Sequence, residues 1–204
     1  MNNKNYIVLD IETIVNPSLP DWTTEYINSR IEKKRGSNKD ANKYCQINAP
    51  EFGSIFCIGL GINGKEFLIL KGTETDVLRI FWEYMKGCLG YRIVGFNSKN
   101  FDISYIKKRS CILGIENYGI DIPTRKYDTH HHYDILEVLS NFNIGDAHAL
   151  SVYCKMYGIE YNNVDDGGHI LSLYQEGKYD EIYTKCLNDV KATDALYRKI
   201  YAYM

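Results

Sequence analysis

The segment NYIVLDIETIV, residues 5–15, has the pattern of a buried strand that ends in acids. Residues 6–9 form an apolar run typical of core strands, and Asp10 and Glu12 follow with Ile11 between them. Side chains two positions apart share one face of a strand, so both carboxylates are expected to project together. Burying a carboxylate without a partner is costly. Because the segment contains no Lys or Arg, the compensating positive charge must come from elsewhere.

A divalent metal ion is one candidate for that charge. In open α/β sheets, ligand sites lie at the carboxyl ends of the strands, which is where Asp10 and Glu12 stand. Mg²⁺ prefers oxygen ligands and is commonly shared between carboxylates and substrate phosphates. The alternative is that the strand ends at Leu9 and both acids are solvated, since an Asp-x-Glu pattern on its own is common.

Composition and charge describe an ordinary globular chain. It has 204 residues, of which 45% are apolar and 25% charged, as expected for a single domain. The formal net charge of -2 does not indicate a bulk electrostatic attraction to nucleic acid. No apolar run reaches the roughly 18 residues of a membrane span, and the N-terminus lacks the apolar region of a signal peptide. The six cysteines are scattered without a CxxC pair, which indicates reduced thiols in a cytoplasmic protein.

Apolar segments along the chain predict an α/β fold. Strands are expected at five places: 5–11, 54–62, 66–71, 91–97 and 127–134. Asn63 and Gly64 join the second and third of these as a hairpin. Segments with helical periodicity follow the third, fourth and fifth strands. The order of elements therefore predicts a mixed sheet of about five strands flanked by helices.

Two further acids extend the candidate site beyond the first strand. Asp102 follows the fourth predicted strand at the start of a helix, and Asp189 lies in the C-terminal helix. The motifs around them, together with the first, are LDIET (9–13), GFNSKNFD (95–102) and NDVKATDALY (188–197). In this order they resemble the DEDD, or DnaQ-like, superfamily of 3'→5' exonucleases, which has an RNase H-like fold. The segments YDILEVLSNF and DDGGHILSLYQEGKYDEI resemble stand-alone relatives of the exonuclease domain of family B DNA polymerases.

The resemblance implies an activity and a cofactor. Asp10, Glu12, Asp102 and Asp189 would hold two Mg²⁺ or Mn²⁺ ions, with nucleoside 5'-monophosphates released from the 3' end of a single strand. DNA is expected as substrate in preference to RNA, in replication or repair, with a separate polymerase or replication protein as partner. The chain would be one exonuclease domain over 1–204, in which the polar segment 16–51, with a short helix near 22–34, is an insertion.

The motifs also suggest substrate contacts. Thr13 and Ile14 follow the first pair of acids and are predicted to border the terminal nucleotide. Asn97 either touches the substrate or orders the loop, or it is a local cap of the following helix. Phe101 is either a core residue or a stacking surface for a base.

One position departs from the superfamily pattern. Members usually place a Tyr four residues, or a His five residues, before the last Asp to orient the attacking water, whereas this chain has Lys185 and Thr184 there. On a helix Lys185 shares the face of Asp189, so it is predicted to take the place of the Tyr as a catalytic residue. The alternative is that Lys185 only pairs with a nearby acid on the surface. The departure also opens an alternative function, a catalytically weakened module that binds 3' ends or is structural. An RNase H-type endonuclease fits less well, because the final Asp is followed by VKATDALY.

Other polar residues have structural interpretations. Asp134 opens a helical pattern and is predicted to cap it. In THHHYD (129–134), alternating His residues of a strand would point to opposite faces, which makes a three-His metal site geometrically poor. Lys99, Lys107, Lys108 and Arg109 would either attract phosphates or form a solvated helix face.

Overall fold

The computed structural model describes residues 5–33, 44–143, 145, 147–161 and 167–203. Its strands are β1 (Tyr6–Val15), β2 (Gly53–Ile62), β3 (Glu66–Leu70), β4 (Arg92–Gly95) and β5 (His132–Asp134). Its helices are α1 (Trp22–Lys33), α2 (Glu74–Gly87), α3 (Asp102–Ile112), α4 (Ile135–Leu139), α5 (Leu150–Met156), α6 (Gly167–Gln175) and α7 (Tyr179–Ile200), with a π-helical turn at Tyr44–Asn48. The short helix expected near 22–34 is thus present as α1, and the basic stretch at 34–43 lies outside the described residues.

The strands form a mixed sheet, as the sequence predicted. Within the described chain the sheet has five strands in the order β3-β2-β1-β4-β5. The β1–β2 and β2–β3 pairs are antiparallel, whereas β4 runs parallel to both β1 and β5. The predicted hairpin is confirmed: Asn63 and Gly64 both have positive φ, 51° and 66°, as a tight turn between twisted strands requires. The fold-class prediction, α/β with helices flanking about five strands, is correct.

Strand β1 lies at the centre of the sheet and is buried on both faces. Ile7, Leu9 and Ile11 belong to the core cluster formed with α2 and α3. Val8 points the other way, into the cluster that contains Val190 and Leu196 of α7. Asp10 and Glu12 follow Val8 by two and four positions in β1. Because side chains alternate between the two faces of a strand, both acids project to the same face as Val8, the face that α7 covers.

Helix α7 packs closely on the sheet beside the acids because β2 carries a glycine there. Gly59 is paired with Asp10 across the β1–β2 ladder. A Cβ on Gly59 would lie 2.7 Å from Val190 Cγ2 and 3.0 Å from Cys186 Sγ, both on α7. The absence of a side chain at this position therefore sets how near α7 approaches β1.

The fifth strand is shorter than the sequence predicted. The expected strand at 127–134 is reduced to β5, His132–Asp134. Tyr127 has a positive φ of 71°, and the Asp128 carboxylate accepts hydrogen bonds from the backbone N–H groups of His130 and His131. This local turn uses backbone donors that a ladder would need, so pairing begins only at His132.

Two predictions about the whole chain also have a structural outcome. The six cysteines are free thiols. In the part of the chain that the structure describes, each helix is too short or too polar to cross a bilayer.

Candidate active site

Three carboxylates converge at the end of β1. Asp10, Glu12 and Asp189 each offer an oxygen, and these oxygens lie within 4.8 Å of one another. Asp10 and Glu12 come from β1, and Asp189 comes from α7, which packs on the same face of the sheet. The strand alternation that placed the first two acids together thus also turns them toward the third.

The fourth acid approaches from the beginning of α3. Asp102 is buried, and its Oδ1 accepts a hydrogen bond of 3.0 Å from the backbone N–H of Ile11, the residue between the two acids of β1. Strand β4 lies beside β1 in parallel, so the helix that follows β4 begins at the same end of the sheet. The four acids therefore come from three separate segments of the chain.

A β-bulge lies next to these acids. Glu12 is paired with Cys57, but Thr13 is paired with Ile55, so Phe56 has no opposite residue in β1. Bulges re-aim the strand that follows and are common beside functional sites. Here the bulge shifts the register of the ladder immediately after Glu12, and pairing continues from Thr13 to Val15.

Lys185 provides a positive charge that the first motif lacks. Its Nζ lies 2.8 Å from Glu12 Oε1 and 2.8 Å from Asp189 Oδ2. The side chain is 17% exposed, so these are largely desolvated ion pairs. One turn of α7 separates Lys185 from Asp189, and this spacing brings both residues to the face that meets β1.

One ammonium does not balance four acids. Burial and the charges of Asp189, Asp102 and Glu12 raise the pKa of Asp10 well above its usual range. Burial also raises the pKa of Glu12 to about 7, even though Lys185 acts in the opposite direction. The pKa of Asp102 is raised to about 8, chiefly by burial.

The ammonium itself is held in its charged form. Burial alone would lower the pKa of Lys185, but the carboxylates of Glu12, Asp189 and Asp10 outweigh it and raise that pKa above the usual value. One ammonium thus faces four carboxyl groups, and the raised pKa values of Asp10, Glu12 and Asp102 reflect the cost of charging all of them together.

The donor set fits a hard divalent cation. Among the described residues, the buried Oδ2 of Asp10 has no hydrogen-bond partner. A buried carboxylate oxygen without a donor is expensive. It lies among oxygen ligands only, which is the coordination that Mg²⁺ and Mn²⁺ prefer. Asp10, Glu12 and Asp189 are therefore able to hold such an ion, with Asp102 beside them.

Tyr161 is a member of the site that sequence reasoning missed. Its hydroxyl donates a hydrogen bond of 2.6 Å to Asp189 Oδ1. Tyr161 lies between α5 and α6, 28 residues before Asp189, in a polar segment without periodicity. Nothing in the local pattern indicates this contact, because it depends on how the segment packs against α7.

Three of the four predicted substrate residues line one of two grooves. Ile14 lines a groove of about 650 Å³ together with Phe56 and Tyr183. Asn97 and Phe101 line another of about 310 Å³ with Lys108 at its edge. Each groove thus contains a residue close in sequence to a site acid, since Ile14 follows Glu12 by two positions and Phe101 precedes Asp102.

Thr13, Asn97 and Phe101 make different contacts within the protein. Thr13 is buried, and its backbone carbonyl accepts a hydrogen bond from Gln46. Asn97 orders its own loop, since its Oδ1 accepts a hydrogen bond from Asn100 and its φ is positive. Phe101 is half-buried and packs against the core while it also lines the groove. Contacts of all four with a substrate stay predictions.

Asp134 has the structural role that the sequence favoured. Its carboxylate caps α4 by accepting from the backbone N–H groups of Leu136 and Glu137. The same carboxylate accepts from the backbone N–H groups of Asn97 and Lys99, which lie in the loop before Asp102. Asp134 therefore connects β5 and α4 to the loop that leads to Asp102.

The histidine segment does not form a three-His site. His132 is buried between Ser98 Oγ, 2.8 Å away, and the carbonyl oxygen of Pro123, 2.7 Å away. His130 and His131 are exposed. Burial lowers the pKa of His132 to about 4, so its imidazole is neutral at physiological pH.

The basic group near the second motif was interpreted wrongly for two residues. Lys99 is buried and pairs with Glu137 at 2.7 Å. Arg109 is buried and makes a bidentate contact with Glu74. Neither side chain lies on a solvated face or is available to an external phosphate.

Comparison with known proteins shows the family and supports the fold of this chain. Residues 63–204 match a family model described as a predicted 3'-5' exonuclease related to the exonuclease domain of PolB. The comparison with curated proteins gives no match. Among solved structures, the family B DNA polymerase from the hyperthermophilic archaeon Pyrobaculum calidifontis is similar, with a TM-score of 0.67 and 16% identity. The similarity covers 97% of this chain and 24% of the polymerase, so this chain spans about a quarter of that protein.

Proposed function

Because the chain belongs to the family of predicted 3'-5' exonucleases related to the exonuclease domain of PolB, we propose that it hydrolyses nucleic acid from the 3' end with two bound divalent ions. The observation that carries this proposal is the cluster of Asp10, Glu12 and Asp189, in which the buried Oδ2 of Asp10 has no hydrogen-bond partner among the described residues. The first two acids lie outside the region that matches the family model, so their assignment rests on geometry.

The four acids would hold the ions. Asp10, Glu12 and Asp189 supply the converging oxygens, and Asp102 supplies a further carboxylate beside Ile11. Mg²⁺ or Mn²⁺ held there would supply a water molecule of lowered pKa and would offset the charge that develops on the phosphate during hydrolysis. Lys185 would act as a charged hydrogen-bond donor to the scissile phosphate, the role that lysines have at other phosphoryl-transfer sites.

The substrate proposed is an unpaired 3' end, with DNA preferred over RNA. The acids are poorly accessible to solvent, since Asp102 and Glu12 are almost fully buried. A paired terminal nucleotide must leave its duplex to reach them, which costs a few kcal/mol. Single strands and mismatched ends should therefore be digested faster than blunt duplexes.

We also propose that residues 1–204 act as one exonuclease domain in the cytoplasm, with 16–51 as an insertion. A separate polymerase or replication protein would be its partner.

The direct test is digestion of end-labelled strands. Single-stranded DNA and RNA labelled at the 3' or the 5' end are incubated with Mg²⁺ or Mn²⁺. The 3' label should leave first as a mononucleotide, without internal cuts. Asp10→Asn and Asp189→Asn should abolish hydrolysis, whereas Asp180→Asn, an exposed acid on the same helix, should not. Full activity in both site variants would refute the assignment.

A second function has one observation in its favour. Lys185 makes two ion pairs with acids that would otherwise be open to metal, at the position where the superfamily usually has a Tyr. A module that binds 3' ends without hydrolysing them would be compatible with this arrangement. It would retain all labels in the digestion assay, with either metal, and still bind single strands.

A further inference from the structure

We propose that Tyr161 is the positioning residue that orients Asp189 for metal binding, an inference that rests on the exonuclease function proposed above. The two oxygens of Asp189 have different partners. Oδ1 accepts the Tyr161 hydroxyl at 2.6 Å, and Oδ2 lies 2.8 Å from Lys185 Nζ. Because Lys185 Nζ also contacts Glu12, Oδ2 is the oxygen on the side of the other acids.

The hydrogen bond is of a kind that can hold this orientation. The last torsion angle of an aspartate side chain, χ2, has a broad and roughly two-fold distribution, so the carboxylate needs an external partner to fix its orientation. A distance of 2.6 Å is within the short range of hydroxyl-to-carboxylate bonds, which are about twice as strong as bonds between neutral groups. Outer partners of this kind fix the geometry of metal ligands and affect metal affinity.

The position of Tyr161 is fixed by the packing of its ring and by the backbone that leads to it. Its ring packs against the core cluster formed by α4, α5 and α7. The backbone leading to it is held where α5 ends, because Gly158 adopts a φ of 67° and Ile159 N–H bonds to the Cys154 carbonyl. This is the geometry of a helix closed by a left-handed residue. Tyr161 is thus placed by a rigid helix end and a packed ring.

Tyr161→Phe tests the inference, since it removes the hydroxyl and keeps the ring. Binding of Mn²⁺ to the protein alone is measured by calorimetry, together with kcat and KM on single-stranded DNA. We expect Mn²⁺ to bind about 10-fold to 100-fold more weakly, the range typical for loss of such a partner. At limiting Mn²⁺, kcat should fall while KM for DNA stays within about twofold, and saturating Mn²⁺ should restore part of the loss.

A matched control separates this role from general stability. Tyr84 lies on α2 in the other core cluster, so Tyr84→Phe should bind Mn²⁺ like the unmodified protein. Thermal unfolding without metal verifies that each variant is folded. If Tyr161→Phe binds Mn²⁺ as tightly as the unmodified protein, with unchanged kcat at limiting metal, the inference is overturned and the exonuclease function stands. If the unmodified protein itself binds no Mn²⁺, both proposals fail.

Discussion

Replacing Lys185 by Met should lower the stability of the metal-free protein, raise its affinity for metal and lower kcat. The substitution keeps most of the side-chain length and removes the ammonium that bridges Glu12 and Asp189. In the metal-free protein, the exposed fractions of these side chains are 8% and 11%. Removing one partner of a buried pair costs roughly 3–5 kcal/mol. Because the pairs are not fully buried, we expect about 3 kcal/mol, which lowers Tm by roughly 6–12 °C for a chain of this size.

The affinity of Lys185→Met for Mn²⁺ should rise, although its stability falls. In the unmodified protein a cation must displace the ammonium from oxygens that it contacts at 2.8 Å. A hydrogen bond to a charged group is worth roughly 1.5–3 kcal/mol, so its prior removal should strengthen Mn²⁺ binding about 10-fold to 100-fold. Bound metal should therefore restore the stability lost in Lys185→Met, because a ligand of the folded state stabilises it by mass action.

The effect on kcat distinguishes a lysine that takes part in catalysis from one that only competes with the metal ion for the carboxylates. If Lys185 donates to the phosphate, kcat at saturating Mn²⁺ should fall by about 10². Lys191→Met, on the exposed side of the same helix, should leave Tm, Mn²⁺ affinity and kcat unchanged. Calorimetry, thermal unfolding and single-strand digestion give the three readouts. Unchanged Mn²⁺ affinity in Lys185→Met would refute the competition argument, and unchanged kcat at saturating metal would remove Lys185 from the mechanism.

Two further predictions concern residues outside the acid cluster. His132 is neutral in the folded state because its pKa is about 4 instead of 6.5, so stability should be complete above pH 6.5 and fall by roughly 3 kcal/mol as pH drops toward 4. Denaturant unfolding should show this pH dependence and lose it in His132→Gln but not in His130→Gln, and equal slopes in all three proteins would contradict it. Gly59→Ala should cost about 1–3 kcal/mol and lower kcat, because the added methyl pushes α7 and Asp189 away from β1. Gly87→Ala, where the methyl meets open space, is the control, and equal Tm and kcat in both variants would oppose the packing argument.

The sequence predicted features that depend on short-range geometry. The i, i+2 relation of Asp10 and Glu12 follows from strand alternation, and the turn at Asn63-Gly64 follows from two residues that tolerate positive φ. The spacing of Lys185 and Asp189 likewise follows from one helical turn. Each of these patterns is encoded within a few residues.

The missed features depend on partners that are distant in sequence. Lys99 looked like a surface residue until its partner Glu137, 38 positions later, was placed beside it. Arg109 and Glu74 are 35 positions apart, and Tyr161 and Asp189 are 28 apart. The late start of β5 has a local cause at Asp128, but the turn that this side chain makes is a weaker signal than the apolar pattern that predicted the strand.

The way charge is distributed distinguishes structural acids from site acids in this protein. Glu137 has Lys99 as a dedicated buried cation, and this pair holds the loop before Asp102 against α4. Asp10, by contrast, belongs to the acid cluster and has a buried oxygen without a donor among the described residues. Folding opposes the charging of several carboxyl groups in one buried cluster, because each uncompensated carboxylate lowers stability. An arrangement that satisfies its structural acids and leaves Asp10 unsatisfied is therefore best explained by a cation that binds at Asp10 after folding.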